Sequence, residues 1–251
     1  MLTAAYQQML RTANIELLVL GCDAAQTAAI RDALLAELVC IDRAPLPRAE
    51  NIAMPRREPV RKVEHFDTTQ AKLCMLFTTG EEHPNPPSVS ILRVAMSVLG
   101  GSATSRLFRN VREKQSLCYY CGSAAQRATG VMMIDSGVEP GKEQQAEAAI
   151  IAELEGLKNG PITQEEVDDC RRGLLSSMDA LGDSLAALEN WYYGQITRGE
   201  PLYPPEYGKV LTSAVSLDEV RQTLQSYSYS VCYAVTAEPG TQGKGGSEDV
   251  E

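Results

Sequence analysis

An arginine and a tyrosine, Arg112 and Tyr119, lie on either side of a charged turn between a short amphipathic helix and a strand in the segment 99–122. A guanidinium offers a fork of charged donors, and a phenol offers one more. If the turn brings both side chains to one point, they can hold a peptide carbonyl and stabilise the oxyanion that forms when water attacks it. The plain alternative is that Arg112 pairs with Glu113 or another nearby acid and that Tyr119 packs in the sheet, and spacing alone does not decide between the two interpretations.

A second motif, the C-x-x-C of Cys118 and Cys121, falls inside the strand predicted over Leu117–Arg127. Strand side chains alternate with a period of two, so the two cysteines are expected to point to opposite faces. A redox C-x-x-C usually opens a helix, and a Cys₄ zinc site needs a second C-x-x-C, which the sequence lacks. The pattern therefore favours two buried strand cysteines.

Two further segments come close to known site motifs. Thr79–His83 is one substitution from H-x-x-E-H, but Thr79 is a poor zinc donor and the prolines that follow would break the required helix. Gly240, Gly243 and Lys244 hint at a phosphate loop, yet the full pattern and the helix after it are missing. We expect a loop at the first segment, a disordered tail at the second, and no metal site in the chain.

Composition limits the classes of partner. The chain has 251 residues with 23 Lys+Arg against 33 Asp+Glu, a net charge of −10, and this balance disfavours nucleic acid and anionic membranes. Its seven scattered cysteines suit a reducing compartment, so a cytoplasmic location is predicted. Its two histidines leave almost no choice of ligands for a zinc centre.

The order of predicted elements indicates the fold class. Residues 60–139 predict two strands, two helices and a hairpin with a turn at Thr129-Gly130, and several helices and a final strand at Tyr229–Ala237 follow. Hairpin-like neighbours and clustered helices favour an α+β, two-layer sandwich of a mainly antiparallel sheet with helices on one face. Ile15–Gly21 predicts one more buried strand, followed by a helix that Asp23 caps.

The segment from 99 to 120, together with 136–142 and 160–178, resembles the C-terminal half of the insulinase/pitrilysin-type zinc metallopeptidases, and its texture is similar to the bacterial YmfF-type branch that lacks the zinc motif. Arg112 and Tyr119 match the Arg–Tyr pair of that family in type and in R-x₆-Y spacing. The resemblance implies the fold already inferred from the pattern, here of the kind seen in LuxS and the mitochondrial processing peptidase. It also implies that these two residues are the catalytic residues of this half. Gly100, Gly101 and Ser102 are expected to bind substrate at the wall of the chamber that the two halves of such a peptidase enclose.

The resemblance also implies a domain organisation. Residues 1–40 would be the end of a truncated N-terminal homologous domain, 41–59 a linker, 60–238 the C-terminal insulinase-like domain and 239–251 a disordered tail. The chain would then be a fragment of a longer protein whose first half lies outside it.

Family members hydrolyse peptides between two homologous halves, one of which carries zinc. By resemblance, the chain is the substrate-binding half or subunit of such a peptidase and is inactive alone. Its partners would be a peptide and a zinc-bearing paralogous subunit or a second copy in a homo-oligomer. Zinc would come from the missing half or from the partner. The alternative function is a non-catalytic peptide-binding or assembly subunit of the same family.

Overall fold

The computed structural model describes residues 1–47, 52–81, 86–126, 129–197 and 201–238. By compactness the chain divides into two units, one made of 1–51 with 179–205 and the other of 52–178 with 206–251. The larger, second unit contains the sheet and the candidate site. The domain limits that the resemblance implies stay a prediction.

The larger unit is built on a five-stranded sheet. Its strands lie in the order β1-β5-β2-β4-β3, and every neighbouring pair is antiparallel except β1 and β5. The last of the described strands is therefore inserted between the first two of them. The strands are β1 Val60–Phe66, β2 Ala71–Thr78, β3 Cys118–Gln126, β4 Val131–Val138 and β5 Ser228–Ala237.

One face of this sheet is covered by helices. Along β2, Ala71, Leu73, Met75 and Phe77 are buried, and the residues between them are more exposed except at the end of the strand. This alternation is typical of a sheet that packs helices on one side, and it confirms the predicted α+β fold with a mainly antiparallel sheet. The helical elements are α3 Pro86–Met96, a π-helical turn Ser97–Gly101, a π-helix Leu107–Lys114, α4 Glu143–Asn159, α5 Gln164–Asp179, α7 Pro205–Ala214 and α8 Leu217–Ser226.

Local hydrogen bonds fix where several helices begin. At the start of α8 the Ser216 hydroxyl accepts from the Glu219 N–H while the Glu219 carboxylate accepts from the Ser216 N–H. Thr163 and Glu166 make the same reciprocal pair before α5. Both capping boxes were predicted, and each satisfies donors that the first helical turn leaves without partners.

The smaller unit contains α1 Leu2–Thr12, α2 Ala24–Val39, a 3₁₀ turn Ala180–Asp183 and α6 Leu185–Ile196. The predicted cap of α2 is confirmed, since Asp23 and Gln26 form a capping box. The predicted strand Ile15–Gly21 is wrong, because this segment joins the two helices without pairing to any of the five described strands. An apolar run becomes a strand only where a neighbouring strand accepts its backbone groups.

Candidate functional site

Arg112 and Tyr119 line the same pocket, a cavity of about 410 Å³ at the end of the π-helix. The side chain of Arg112 is 39% exposed and Tyr119 is 56% exposed, so both can meet a ligand from solvent. The remaining lining residues are Glu113, Ser116, Leu117, Cys118 and Glu139.

Buried neighbours hold the π-helix that carries Arg112. Leu107 and Val111 lie one turn apart and are fully buried, so one face of this helix faces the core. Asn110 donates a hydrogen bond of 2.7 Å to Glu153 on α4. Arg106, just before the helix, donates one of 2.9 Å to Glu166 on α5. Arg112 therefore projects from a helix that is fixed on two sides.

The guanidinium of Arg112 has two neighbours of its own. Its carbon lies 4.5 Å from the ring centroid of Phe108, and its Nε lies 3.6 Å from Oε1 of Glu113. The sequence left open whether Arg112 pairs with Glu113, and the structure shows that this contact is present. It is long and exposed, however, and an ion pair of that kind is worth at most about 1 kcal/mol. Arg112 still lines the pocket beside Tyr119.

The turn between the helix and β3 explains why both residues reach one pocket. Ser116 has a φ of +51°, in the left-handed region that non-glycine residues rarely adopt. The N–H of the next residue, Leu117, then donates to the Val111 carbonyl at 3.1 Å, and the Leu117 side chain is buried. These contacts reverse the chain within two residues and place Tyr119 beside the end of the helix.

The expectation that Cys118 and Cys121 point to opposite faces is wrong. The pairing of β3 with β4 shifts register between Cys118 and Tyr120, and such a bulge interrupts the period of two. The pKa of Cys118 is lowered to about 7, mainly by hydrogen bonding with the Cys121 side chain; burial opposes the shift, and Ser136 and the charge of Arg112 assist it. The same contact, with burial, raises the pKa of Cys121.

Acidic groups also face the pocket. Glu139 lies 2.6 Å from the ammonium of Lys142, and this contact is the main cause that raises the pKa of Lys142. Glu113 is the neighbour of Arg112 already described. The pocket therefore combines a guanidinium and a phenol with two carboxylates. Its donors suit an uncharged acceptor such as a peptide carbonyl, since a free anion would meet both carboxylates.

Gly100, Gly101 and Ser102 are not among the residues that line this pocket. A Cβ built on Gly100 would lie 2.7 Å from the backbone nitrogen of Ser123, so the turn packs directly against β3. Ser102 donates to the Ser97 carbonyl at 3.1 Å. These contacts close the π-helical turn on itself, and the predicted role of the three residues in substrate binding stays a prediction.

The described residues do not fit a zinc ion. Within the described ranges, no group of three or more His, Cys, Asp or Glu side chains is arranged to hold a metal. Glu82 and His83, and the glycines near Lys244, lie outside those ranges. Among the helices that the structure describes, each is too short or too polar to cross a membrane.

Sequence reasoning missed Phe108, Ser116 and Cys118 as parts of the site. The spacing of Phe108 and Arg112 by four residues was a usable signal, since residues four apart meet on a helix. The left-handed Ser116 carried no signal, because glycine or asparagine is the residue typical of that conformation. The role of Cys118 depends on a bulge that the strand pattern does not reveal.

Comparison with known proteins gives the family. The model of the peptidase M16 inactive domain matches residues 1–174. Two relatives are proteins of Bacillus subtilis (strain 168). The "Probable inactive metalloprotease YmfF" is 28% identical over 145 residues, which are 58% of this chain and 34% of that protein. The uncharacterised zinc protease YmxG is 29% identical over 136 residues, which are 52% of this chain and 32% of that protein.

Solved structures share the fold. A conserved protein from Enterococcus faecalis V583 superposes with a TM-score of 0.80 at 24% identity, over 94% of this chain and 55% of that one. The peptidase M16 inactive domain from Pseudomonas fluorescens superposes with a TM-score of 0.66 at 21% identity, over 84% of this chain and 52% of that one. The ferredoxin protease FusC was solved in complex with Arabidopsis ferredoxin. It superposes with a TM-score of 0.61 at 15% identity, over 87% of this chain and 24% of that one.

The chain spans about a third of the length of these curated relatives and about half of the first two solved chains. The matched family model covers well over half of the chain, and the five-stranded fold agrees with the solved members. The predicted insulinase-type family and the predicted similarity to YmfF are thus confirmed, and the chain belongs to the peptidase M16 inactive-domain family.

Proposed function

We propose that this chain is the substrate-binding half of an insulinase-like zinc metalloendopeptidase and that Arg112 and Tyr119 anchor the carbonyl of a bound peptide. The observation that supports the proposal is the shared pocket, in which a guanidinium and a phenol from two different elements face one cavity.

The chemistry follows from the donors. The Arg112 fork and the Tyr119 hydroxyl can both donate to one carbonyl oxygen, and both bonds strengthen as that oxygen becomes negative. The Phe108 ring supports the guanidinium, so the donors are held in place before the peptide arrives. Glu113 and Glu139 would disfavour free carboxylate at this point, which selects an internal peptide bond over a chain terminus.

Hydrolysis needs a group that the described residues do not supply. Zinc would come from the other half of a longer protein or from a partner, either a zinc-bearing paralogous subunit or a second copy of the chain. This chain then contributes binding and oxyanion stabilisation only, and alone it is inactive. The complex of FusC with ferredoxin shows that one protein of similar fold binds a whole protein substrate.

The test pairs the intact protein with zinc-bearing paralogues from the same genome and follows cleavage of a fluorogenic peptide library. Tyr119→Phe and Arg112→Gln are each expected to lower kcat by about 10²–10³, the loss typical of one oxyanion donor. Tyr120→Phe is a matched control, because this neighbouring ring lies against Gly137 and under Lys72 instead of in the pocket. Lys114→Gln controls for the loss of one positive charge from the same helix.

Unchanged rates in Tyr119→Phe and Arg112→Gln would refute the role of the pair. The alternative function, a non-catalytic peptide-binding or assembly subunit, is favoured by the inactive-domain family model and by the inactive relative in Bacillus subtilis. It would be established if no paralogue produced cleavage while the protein still bound peptide in an Arg112-dependent way.

A further inference from the structure

We propose that Cys118 is a reactive thiol in the Arg112–Tyr119 pocket, that it forms a mixed disulfide with a low-molecular-weight disulfide, and that the adduct competes with peptide for the pocket. The competition rests on the proposed function. The reactivity of the thiol does not.

The geometry places this thiol where a reagent can reach it. Cys118 is half-buried and lines the pocket together with Arg112 and Tyr119, whereas Cys121 is 6% exposed. A register shift lies at the start of β3, and the Cys121 side chain is the neighbour that affects the Cys118 thiol most. Cys118 is therefore the accessible member of a pair whose second thiol is enclosed.

The surroundings favour the thiolate of Cys118. The pKa of Cys118 is lowered to about 7 by all its neighbours together: Cys121 on the same strand contributes most, burial opposes it, and Ser136 on β4 and Arg112 on the π-helix assist it. Glu113 on the π-helix and Glu139 after β4 also face the pocket and oppose this; Glu113 lies beside Arg112 itself, and Glu139 is paired with Lys142. Reactive thiols are typically partly exposed and lie near a cation, as Cys118 does near Arg112.

The other cysteines differ in ways that make the reaction selective. Burial raises the pKa of Cys74, and it raises that of Cys232 to about 12. Cys170 is buried. Cys22 and Cys40 are exposed and belong to the smaller unit, so replacing both by serine removes competing thiols without touching the pocket.

The reaction is an ordinary thiol–disulfide exchange. The Cys118 thiolate attacks one sulfur of the small disulfide, a new S–S bond forms to that sulfur, and the original S–S bond breaks. The second half leaves as a thiolate and takes a proton from water. Cys118 is oxidised and the leaving half is reduced, so the small disulfide itself is the oxidant.

The test uses the intact protein carrying Cys22→Ser and Cys40→Ser, with 2-hydroxyethyl disulfide as the probe and peptide mass spectrometry as the readout from pH 5 to 10. Labelling of Cys118 is expected to have its midpoint near pH 7, below the ordinary thiol value of about 8.5. At pH 7 the Cys118 thiol should react only about threefold faster than an ordinary thiol, because a less basic thiolate is also a weaker nucleophile. The midpoint is therefore the decisive quantity.

Two variants identify the cause of the shift. Arg112→Gln removes one stabilising charge and Cys121→Ala removes the neighbouring thiol, so each should raise the midpoint, Cys121→Ala by more. Cys118→Ser should remove the label. The proposal is overturned if the folded protein labels at Cys118 with a midpoint at or above 8.5, if Cys118 stays unlabelled, or if the product is an internal Cys118–Cys121 disulfide.

Peptide binding separates this proposal from the proposed function. The labelled protein should lose at least tenfold in peptide affinity, a thiol reductant should restore it, and Cys118→Ser should be insensitive to the probe. Unchanged affinity after labelling would refute the competition. If the unlabelled protein binds no peptide, the proposed function and the competition both fail, while the labelling midpoint still decides whether the thiol is reactive.

Discussion

The guanidinium of Arg112 lies on the ring of Phe108, with 4.5 Å between the guanidinium carbon and the ring centroid. The two residues are one turn apart on a helix whose adjoining face is fixed in the core by Leu107 and Val111. An aromatic face holds a cation without neutralising it, so the fork keeps its ability to donate to a ligand. The ring thus takes the orienting role that a close carboxylate would otherwise have.

Phe108→Leu is expected to weaken peptide binding about two- to fivefold, because a cation–π contact at an exposed site contributes about 0.5–1 kcal/mol. Fluorescence anisotropy with a labelled peptide at constant ionic strength measures the change. Phe108→Tyr keeps the ring and should bind as the parent does. Equal affinity for Leu and Phe at this position would show that the ring does not position Arg112.

Substitutions at Ser116 should separate backbone strain from side-chain chemistry. Ser116→Gly is expected to leave the free energy of unfolding within about 0.5 kcal/mol, since relief of left-handed strain is offset by a more flexible unfolded chain. Ser116→Val should cost about 2 kcal/mol, because a β-branched residue tolerates this φ poorly. Urea denaturation measures both. Retained peptide affinity in Ser116→Gly, with a loss in Ser116→Val, would mark the turn as the positioning element.

Glu166 should make stability fall at low pH. Burial alone would raise the pKa of this carboxyl, but the hydrogen bond from Arg106, with those from Thr163, lowers it to about 2. The ordinary value is about 4.3, so the stabilising contribution is present above that pH and is lost as the pH falls toward 2. Glu166→Gln should cost about 2 kcal/mol at pH 7, typical of hydrogen bonds to a charged group.

The pH series supplies the control for this position. The difference in unfolding free energy between the parent and Glu166→Gln should shrink from pH 5 to pH 2. Asp169→Asn breaks the exposed pair with Arg172 in the same helix and should change stability by less than about 1 kcal/mol. A difference that is constant with pH would contradict the assigned role of the charge.

Two glycines should respond to alanine in opposite directions. Gly130 has a φ of +64°, and a Cβ there would lie 2.0 Å from the Glu81 carbonyl oxygen. Gly130→Ala should therefore cost about 2 kcal/mol or more. Gly173 lies within α5 with open space around its Cα, so Gly173→Ala should stabilise by about 0.5–1 kcal/mol. Thermal unfolding of the two variants side by side tests the contrast.

Features that depend on neighbours in the chain were predictable. The capping boxes at Ser216 and Thr163, and the left-handed Gly130 between β3 and β4, each involve groups at most three residues apart. The candidate Arg112–Tyr119 pair was identified in the same way, from residue types on either side of a short turn. Local hydrogen bonds and turn chemistry are specified by a few adjacent residues, so the sequence pattern is sufficient for them.

Features that depend on residues far apart in the chain were not predictable from the sequence. The segment Ile15–Gly21 has the composition of a strand but no partner among the five described strands, and β5 pairs with both β1 and β2 although it follows them by more than 140 residues. Strand pairing is decided by which edges meet in the folded chain, and composition does not specify that.

For this protein the sequence by itself determined the family, the α+β class and the candidate Arg112–Tyr119 pair. Each of them depends on residue types at short spacing along the chain. Only the tertiary structure decided that Arg112 rests on Phe108, that Ser116 reverses the chain, and that a bulge sets Cys118 in the pocket beside Cys121. The physical reason is that these relations depend on where β3 docks against β4 and the π-helix, and that docking is settled by packing across the whole core.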